Sequence, residues 1–301
     1  SKAIDLLRSS GTDVGLRIEL AEALGQQSVD DAIKDLLNLA TAKSTNNPAL
    51  QRVAIRSLAT FDDATIADRL IGSFQSSISN EDDLRATACR TLASRETWAI
   101  KLASEVIQWR LHRSDVPTDA IQRMRTFQSA ELRAALDQAF GKEIVVSDAE
   151  KKVMIQRVIE SLADGPGNAT EGKSHFDKKC ATCHQLFGEG KLTGPPLDGY
   201  ERSNPKFWLP AIIDPSLEIR EGYQSYRALS VDGHVITGTV SEQSPETISL
   251  QSADGQTNII AREDLEILEP IKASLMPVGL LDDMSDQAVR DLFAYLSRDA
   301  K

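Results

Sequence analysis

The chain has 301 residues, 41% hydrophobic and 26% charged, which suits two or three soluble domains each burying its own core. Its net charge of −11 argues against nucleic acid as a default partner. No run of about eighteen apolar residues is present, so no membrane span is expected, and three cysteines are too few for a disulfide scaffold. The acidity sits in the second half: residues 1–160 carry 21 basic and 23 acidic side chains, residues 161–301 carry 13 and 22.

Ser1 opens directly into an amphipathic stretch, and no signal peptide is read in these residues. Three segments then recur at a spacing of 34: LRIELAEAL from Leu16, LQRVAIRSL from Leu50 and LRATACRTL from Leu84. Each is followed by a turn-prone or acidic stretch and a second apolar run, such as VDDAIKDLLNLA. Paired amphipathic helices at a fixed period predict an α-solenoid, whose units bury their faces only against neighbours. The period also fits tetratricopeptide repeats, but their Trp-Leu-Gly-Tyr pattern is missing; DVGLRIELAEALG…DDAIKDLL resembles a short HEAT repeat. Cys89, near Leu84, Ala88 and Leu92 on one helix, reads as a buried inert thiol.

Regularity fades after about residue 110, although TDAIQRMRTF, SAELRAALDQAF and SDAEKKVMIQRVIESL still scan as helices. Ser147 and Glu150 form a capping box for the last of these. Gly165-Pro166-Gly167 breaks the pattern, and the domain boundary is placed there, giving a helical repeat domain over 1–163 and a second domain over 168–301. Asn168 with Glu171 starts the next helix.

That helix runs into DKKCATCHQLFGEGKLTGPPLDG, residues 177–199. A structural zinc site needs four ligands, and the only other cysteine is Cys89, while the remaining histidines show no paired spacing. A thioredoxin-type pair belongs to a βαβ unit, and no such unit surrounds this one. His184 directly follows Cys183, so the run is Cys-x-x-Cys-His, the attachment sequence for c-type haem. On a helix Cys180, Cys183 and His184 would stand at i, i+3 and i+4 on one face, two sulfurs for the porphyrin and an imidazole for the iron.

From about 222 to 270 the period changes to two. YRALSV, HVITGTV, TISLQS, TNIIA and LEIL are β-rich runs separated by Asp232-Gly233, SEQSPE, Asp254-Gly255 and RED turn chemistry. Five short strands with a kink at Gly238 predict an SH3-like or Sm-like barrel inserted in the second domain. The chain returns to helix with Ser285 as N-cap and Val289, Leu292, Phe293 and Leu296 on one face.

With these residues in view, 168–215 and 271–298 resemble a class I cytochrome c fold. Gly172 and Phe176 stand eight and four residues before Cys180, as in that family's first helix, and DLFAYL (291–296) is similar to its last. The resemblance implies that Leu292 and Tyr295 meet the first helix near Gly172. GPPLDG matches the family's Gly-Pro-x-Leu loop, which implies that Pro195 offers its carbonyl to His184 and that Leu197 packs on the haem. It also implies a distal methionine before the last helix, and Met276 in SLMP is the match. Met284, Met124 and Met154 read as packing residues; His175, His112 and His234 read as surface, helix-end and exposed turn residues.

The whole of 168–298, with its inserted strands, resembles the haem-binding C-terminal domain of large exported planctomycete and verrucomicrobial proteins. Its marks here are AIIDPSLEIREGYQSY, DGHVITGTV and SLMPVGL. Those proteins often place HEAT repeats before the haem domain and a dehydrogenase-like propeller before those, so this chain reads as a C-terminal part of such a protein.

The expected architecture is therefore multidomain and mainly α, a HEAT-like solenoid followed by a cytochrome domain with a β-barrel insertion. The expected function is that of a monohaem c-type cytochrome with one covalently attached haem and His/Met ligation. It would serve as an electron carrier or electron-transfer domain in a periplasmic or otherwise exported setting. The solenoid would act as docking or spacer module, and the partner would be a redox protein such as a dehydrogenase with a basic patch. The alternative is a haem enzyme or ligand sensor with an open or gated distal site.

Overall fold

The computed structural model describes residues 1–42, 47–78, 81–142, 148–198 and 202–298. Thirteen α-helices make up about half of the described residues, and they divide into two compact units. One comprises residues 1–143 with 230–235, the other 144–229 with 236–301.

The first unit begins with α1 (Lys2–Arg8) and continues with α2 (Val14–Gln26), α3 (Ile33–Ala40), α4 (Pro48–Ser57) and α5 (Ala64–Gly72). Then come α6 (Leu84–Leu92), α7 (Glu96–Ile107), α8 (Thr118–Arg125) and α9 (Ala130–Phe140). Helices α2, α4, α6 and α8 pack successively in one row, and α3, α5, α7 and α9 in another. The starts follow local chemistry: Asp13, Asn47, Asp63 and Ser129 each accept a backbone N–H of the first turn of α2, α4, α5 and α9. Polar ties between rungs span nearly the same spacing, 33 to 36 residues. Thr91 Oγ1 donates to the Ile55 carbonyl at 3.2 Å, Lys101 pairs with Asp68 at 2.5 Å, and Arg56 pairs with Glu22 at 3.4 Å. Cys89 is fully buried, and burial pushes its thiol up to about 12.

The second unit opens with α10 (Asp148–Ala163). The division thus falls one helix ahead of the Gly165-Pro166-Gly167 break, because Met154, Ile155, Val158, Ile159 and Leu162 of α10 pack on the second unit's core. Ser147, half of the expected capping box, lies outside the described residues. Next come α11 (Ala169–Lys179), the two-residue strands β1 (Gln185–Leu186) and β2 (Glu189–Gly190), and α12 (Pro205–Ile213). Five strands follow: β3 (Ser225–Ser230), β4 (Val235–Gln243), β5 (Thr247–Gln251), β6 (Thr257–Ala261) and β7 (Leu265–Pro270). Helix α13 (Asp286–Leu296) closes the fold, with Ser285 capping Ala288 N–H at 3.2 Å.

The inserted strands form an open sheet, not the expected closed barrel. Their order is β6-β5-β4-β3-β7, so β6 and β7 are its edges, and no ladder joins them among the described residues. Alternation over the strands still gives the sheet its own core of Ala228, Ile236, Ile248, Leu250 and Ile260. Gly238 lies in β4, where a Cβ would come within 2.5 Å of the Gln251 carbonyl oxygen on β5. The bulge itself falls three residues later, between Val240 and Glu242.

Helices α11 and α13 cross where Gly172 removes a side chain. A Cβ at Gly172 would fall onto the Asp291 carbonyl oxygen and lie 2.8 Å from the Tyr295 Cβ. Tyr295 is therefore a neighbour as expected, while the nearest backbone belongs to Asp291. Phe176 packs beside it, its ring centroid 5.3 Å from that of Tyr295. Asn168 does cap α11, accepting the Thr170 N–H at 2.9 Å. Its own N–H, which a capping box would give to Glu171, goes to Asp291 Oδ1 at 2.7 Å.

That bond, joined by a second from Gln287 at 2.7 Å, holds the Asp291 carboxyl below its ordinary range. A carboxylate lowered in the folded state stabilises the fold above its unfolded pKa, about 3.9, and loses that contribution as pH falls through the lower folded value. Asp291→Asn is accordingly expected to flatten the acid limb of a stability–pH profile. A chemical-denaturation series from neutral to acidic pH checks it, and an unchanged slope would refute it.

Candidate functional site

The Cys-x-x-Cys-His residues lie in the turn just past α11, not on the helix as expected. α11 ends at Lys179, and Cys180 serves as its C-cap. One helical bond continues, from the His184 N–H to the Cys180 carbonyl at 2.8 Å, and the Cys183 N–H reaches the same carbonyl at 3.0 Å. The three side chains are thus held by a single tight turn. Both thiols are half-buried and neither is in a disulfide, and burial pushes the Cys180 thiol up to about 12.

From that turn the chain passes into the β1–β2 hairpin and returns beneath the imidazole. The Gly194 N–H donates to the Cys183 carbonyl at 2.7 Å, and the Leu197 N–H to Gln185 at 2.8 Å. A Cβ at Gly194 would come within 2.7 Å of His184 Cε1, so only glycine lets the backbone lie on the ring. The following residue supplies the orienting group: His184 Nδ1 is 2.8 Å from the Pro195 carbonyl oxygen. A carbonyl only accepts, so Nδ1 carries the hydrogen and Nε2 keeps its lone pair. Burial lowers the His184 pKa, with the Pro195 bond opposing it, so the ring is neutral at pH 7.

Leu197 is buried in the core shared by α11, α12 and α13, alongside Phe176, Trp208, Leu209 and Leu292. Met276 and Met284 are both half-buried against that core. Met284 lines a cavity of about 80 Å³ with Met154, Val158, Ile212, Ile213 and Val289, a packing position. Met276 does not line it; its backbone N–H donates to Ser274 Oγ at 3.1 Å, and the Ser274 N–H donates to Ser216 Oγ at 3.1 Å. These two bonds tie the SLMP segment to the loop after α12.

The other histidines divide differently from expectation. His112 is exposed at a helix end and His175 half-buried on α11. His234 is half-buried where an exposed turn residue was expected. It groups with the first unit, where desolvation beside Arg95 and Arg123 holds it down to about 3.

The donor set fits a covalently held haem. Two thiols three residues apart precede a neutral imidazole whose Nδ1 is engaged and whose Nε2 is free to bind iron. Among the described residues no group of three or more His, Cys, Asp and Glu side chains is arranged to hold a metal ion alone. Gly194 was read from sequence only as the head of the GPPLDG loop and Gly255 only as turn chemistry; that these two and Ala253 touch this site was not expected.

Residues 169–231 match the family described as Cytochrome c, which supports a cytochrome c fold and a haem c electron-transfer function for this stretch. The match ends before Met276 and α13. No curated protein matches the chain. No helix among the described residues is long and apolar enough to cross a membrane.

Proposed function

We propose that the chain is a monohaem c-type cytochrome that passes single electrons with His184 and Met276 as axial ligands. When bound, haem supplies an iron that takes up and releases one electron. Cys180 and Cys183 hold the porphyrin through their sulfurs, and His184 binds the iron through Nε2. Pro195 keeps the imidazole in the tautomer that leaves Nε2 available and raises its basicity. Leu197 presents an apolar side chain that excludes water from the same region, and a methionine thioether favours the reduced state. The observation that most supports this reading is the 2.8 Å approach of His184 Nδ1 to the Pro195 carbonyl, on a residue that directly follows the Cys180 and Cys183 pair.

Residues 168–298 would then be the planctomycete-type haem domain, and the helical rows α2 to α9 a HEAT-like docking or spacer module. Covalent attachment of this kind belongs outside the cytosol, so a periplasmic or otherwise exported location goes with it. With 22 acidic against 13 basic side chains over 161–301, the haem domain suits a redox partner carrying basic charges, such as a dehydrogenase. Association should weaken as salt rises.

Met276 gives the direct test. The ferric protein is expected to show the weak far-red sulfur-to-iron band, and Met276→Ala to abolish it and lower the reduction potential. A wild type that lacks the band and binds carbon monoxide or cyanide rapidly would instead be a haem enzyme or sensor with an open distal site.

A further inference from the structure

The open sheet reaches the Cys-x-x-Cys-His turn through its β5–β6 hairpin. The hairpin from β5 to β6 turns at Ala253-Asp254-Gly255. It is closed by the Ser252 N–H to Gln256 and the Gly255 N–H to Ser252, both 2.8 Å. Asn258 Nδ2 holds the buried Ser252 Oγ at 2.9 Å, which ties the turn to β6. This tip lies on the cysteine motif: the Ala253 carbonyl oxygen is 3.6 Å from Cys183 Sγ. Gly255, at φ +84°, sits so close that a Cβ would come within 3.3 Å of Thr193 Oγ1 and 3.8 Å of Lys191 Cδ.

Thr193 is buried, and the two residues after it are those that set the imidazole. Gly194 lies on the ring and Pro195 accepts from Nδ1. The loop from 191 to 198 has no regular structure of its own; Leu197 anchors its far end in the core, but the bonds from Lys191 to Ala181 at 3.1 Å and from Gly194 to Cys183 at 2.7 Å open at low cost unless something packs over residues 191–193. The sheet supplies that packing.

We infer that the β5–β6 turn is a positioning element for His184. It clamps residues 191–195 against the Cys183 turn, fixes the ring through Thr193, Gly194 and Pro195, and keeps water from the Cys183 side. The inserted sheet is on this view part of the site. What His184 serves rests on the haem reading; the clamp is a property of the chain alone.

Two variants of the full chain test it. Gly255→Val drives a branched side chain toward Thr193, and deletion of Ala253 leaves Asp254-Gly255 as a two-residue hairpin turn while keeping the β5–β6 register. Gly222→Val is the control, with a left-handed φ of +85° and open space around it. Amide exchange at Lys191 and Gly194 is expected to quicken by about tenfold or more in both test variants and to stay within about twofold in the control. The reduction potential should fall in both, because water at the site favours the oxidised ion. Exchange matching the control in both variants would overturn the clamp, and faster exchange with an unmoved potential would overturn its reach to His184. A chain isolated without covalent haem would sink the haem reading, and the amide rates would still decide the clamp.

Discussion

A double replacement of Cys180 and Cys183 by serine is expected to remove all haem that stays with the chain through denaturation. A coordinate bond from His184 is lost when the fold is lost, whereas a thioether survives, so denaturing electrophoresis with a haem stain separates the two. Each single variant should keep one linkage and remain pigmented. The third cysteine offers no substitute: Cys89 is fully buried and its thiol is pushed up to about 12. The backbone of the turn is closed without the sulfurs, because α11 ends on the bond from the Cys180 N–H to the Phe176 carbonyl at 2.8 Å and the turn on that from the His184 N–H to the Cys180 carbonyl. A doubly substituted chain that still carries pigment after denaturation would refute the attachment.

Gly172→Val is expected to destabilise the second unit by about 1–3 kcal/mol or more, the ordinary range for overpacking a close contact. Helix propensity alone points the other way, since glycine inside a helix costs about 0.5–1 kcal/mol relative to alanine. Packing decides the sign. A Cβ at this position would fall onto the Asp291 carbonyl oxygen and press on Tyr295, which are backbone and buried side chain without freedom to yield. Separating α11 from α13 would also strain the bond from Asn168 to Asp291. A urea midpoint for the cytochrome unit checks the prediction, and a gain in stability would show that propensity governs the crossing.

The helix crossing and the approach of Pro195 to His184 were legible because their signals are short. Gly172, Phe176, Cys180, Cys183 and His184 lie within thirteen residues, and Pro195 follows closely on the same loop. The caps at Asn168 and Ser285 were readable for the same reason, since the group that accepts the bond stands two or three residues from its donor. The 34-residue spacing likewise announced rows of helices, because each rung repeats the same apolar face for its neighbour.

Partners far apart in the chain were decided only in three dimensions. A helical pattern shows that α10 has an apolar face but not which core receives it, and that face went to α12 and α13. Alternation predicted the inserted strands; whether the sheet closed depended on β6 and β7 meeting at its edges, which no local pattern encodes. The Asn168 N–H found Asp291, 123 residues away, in place of Glu171 nearby. The tip at Ala253 to Gly255 reached Cys183 and Thr193 across 60 to 70 residues of sequence. Residue type and short spacing determine which atoms can hold a haem; packing of distant surfaces determines what holds those atoms still.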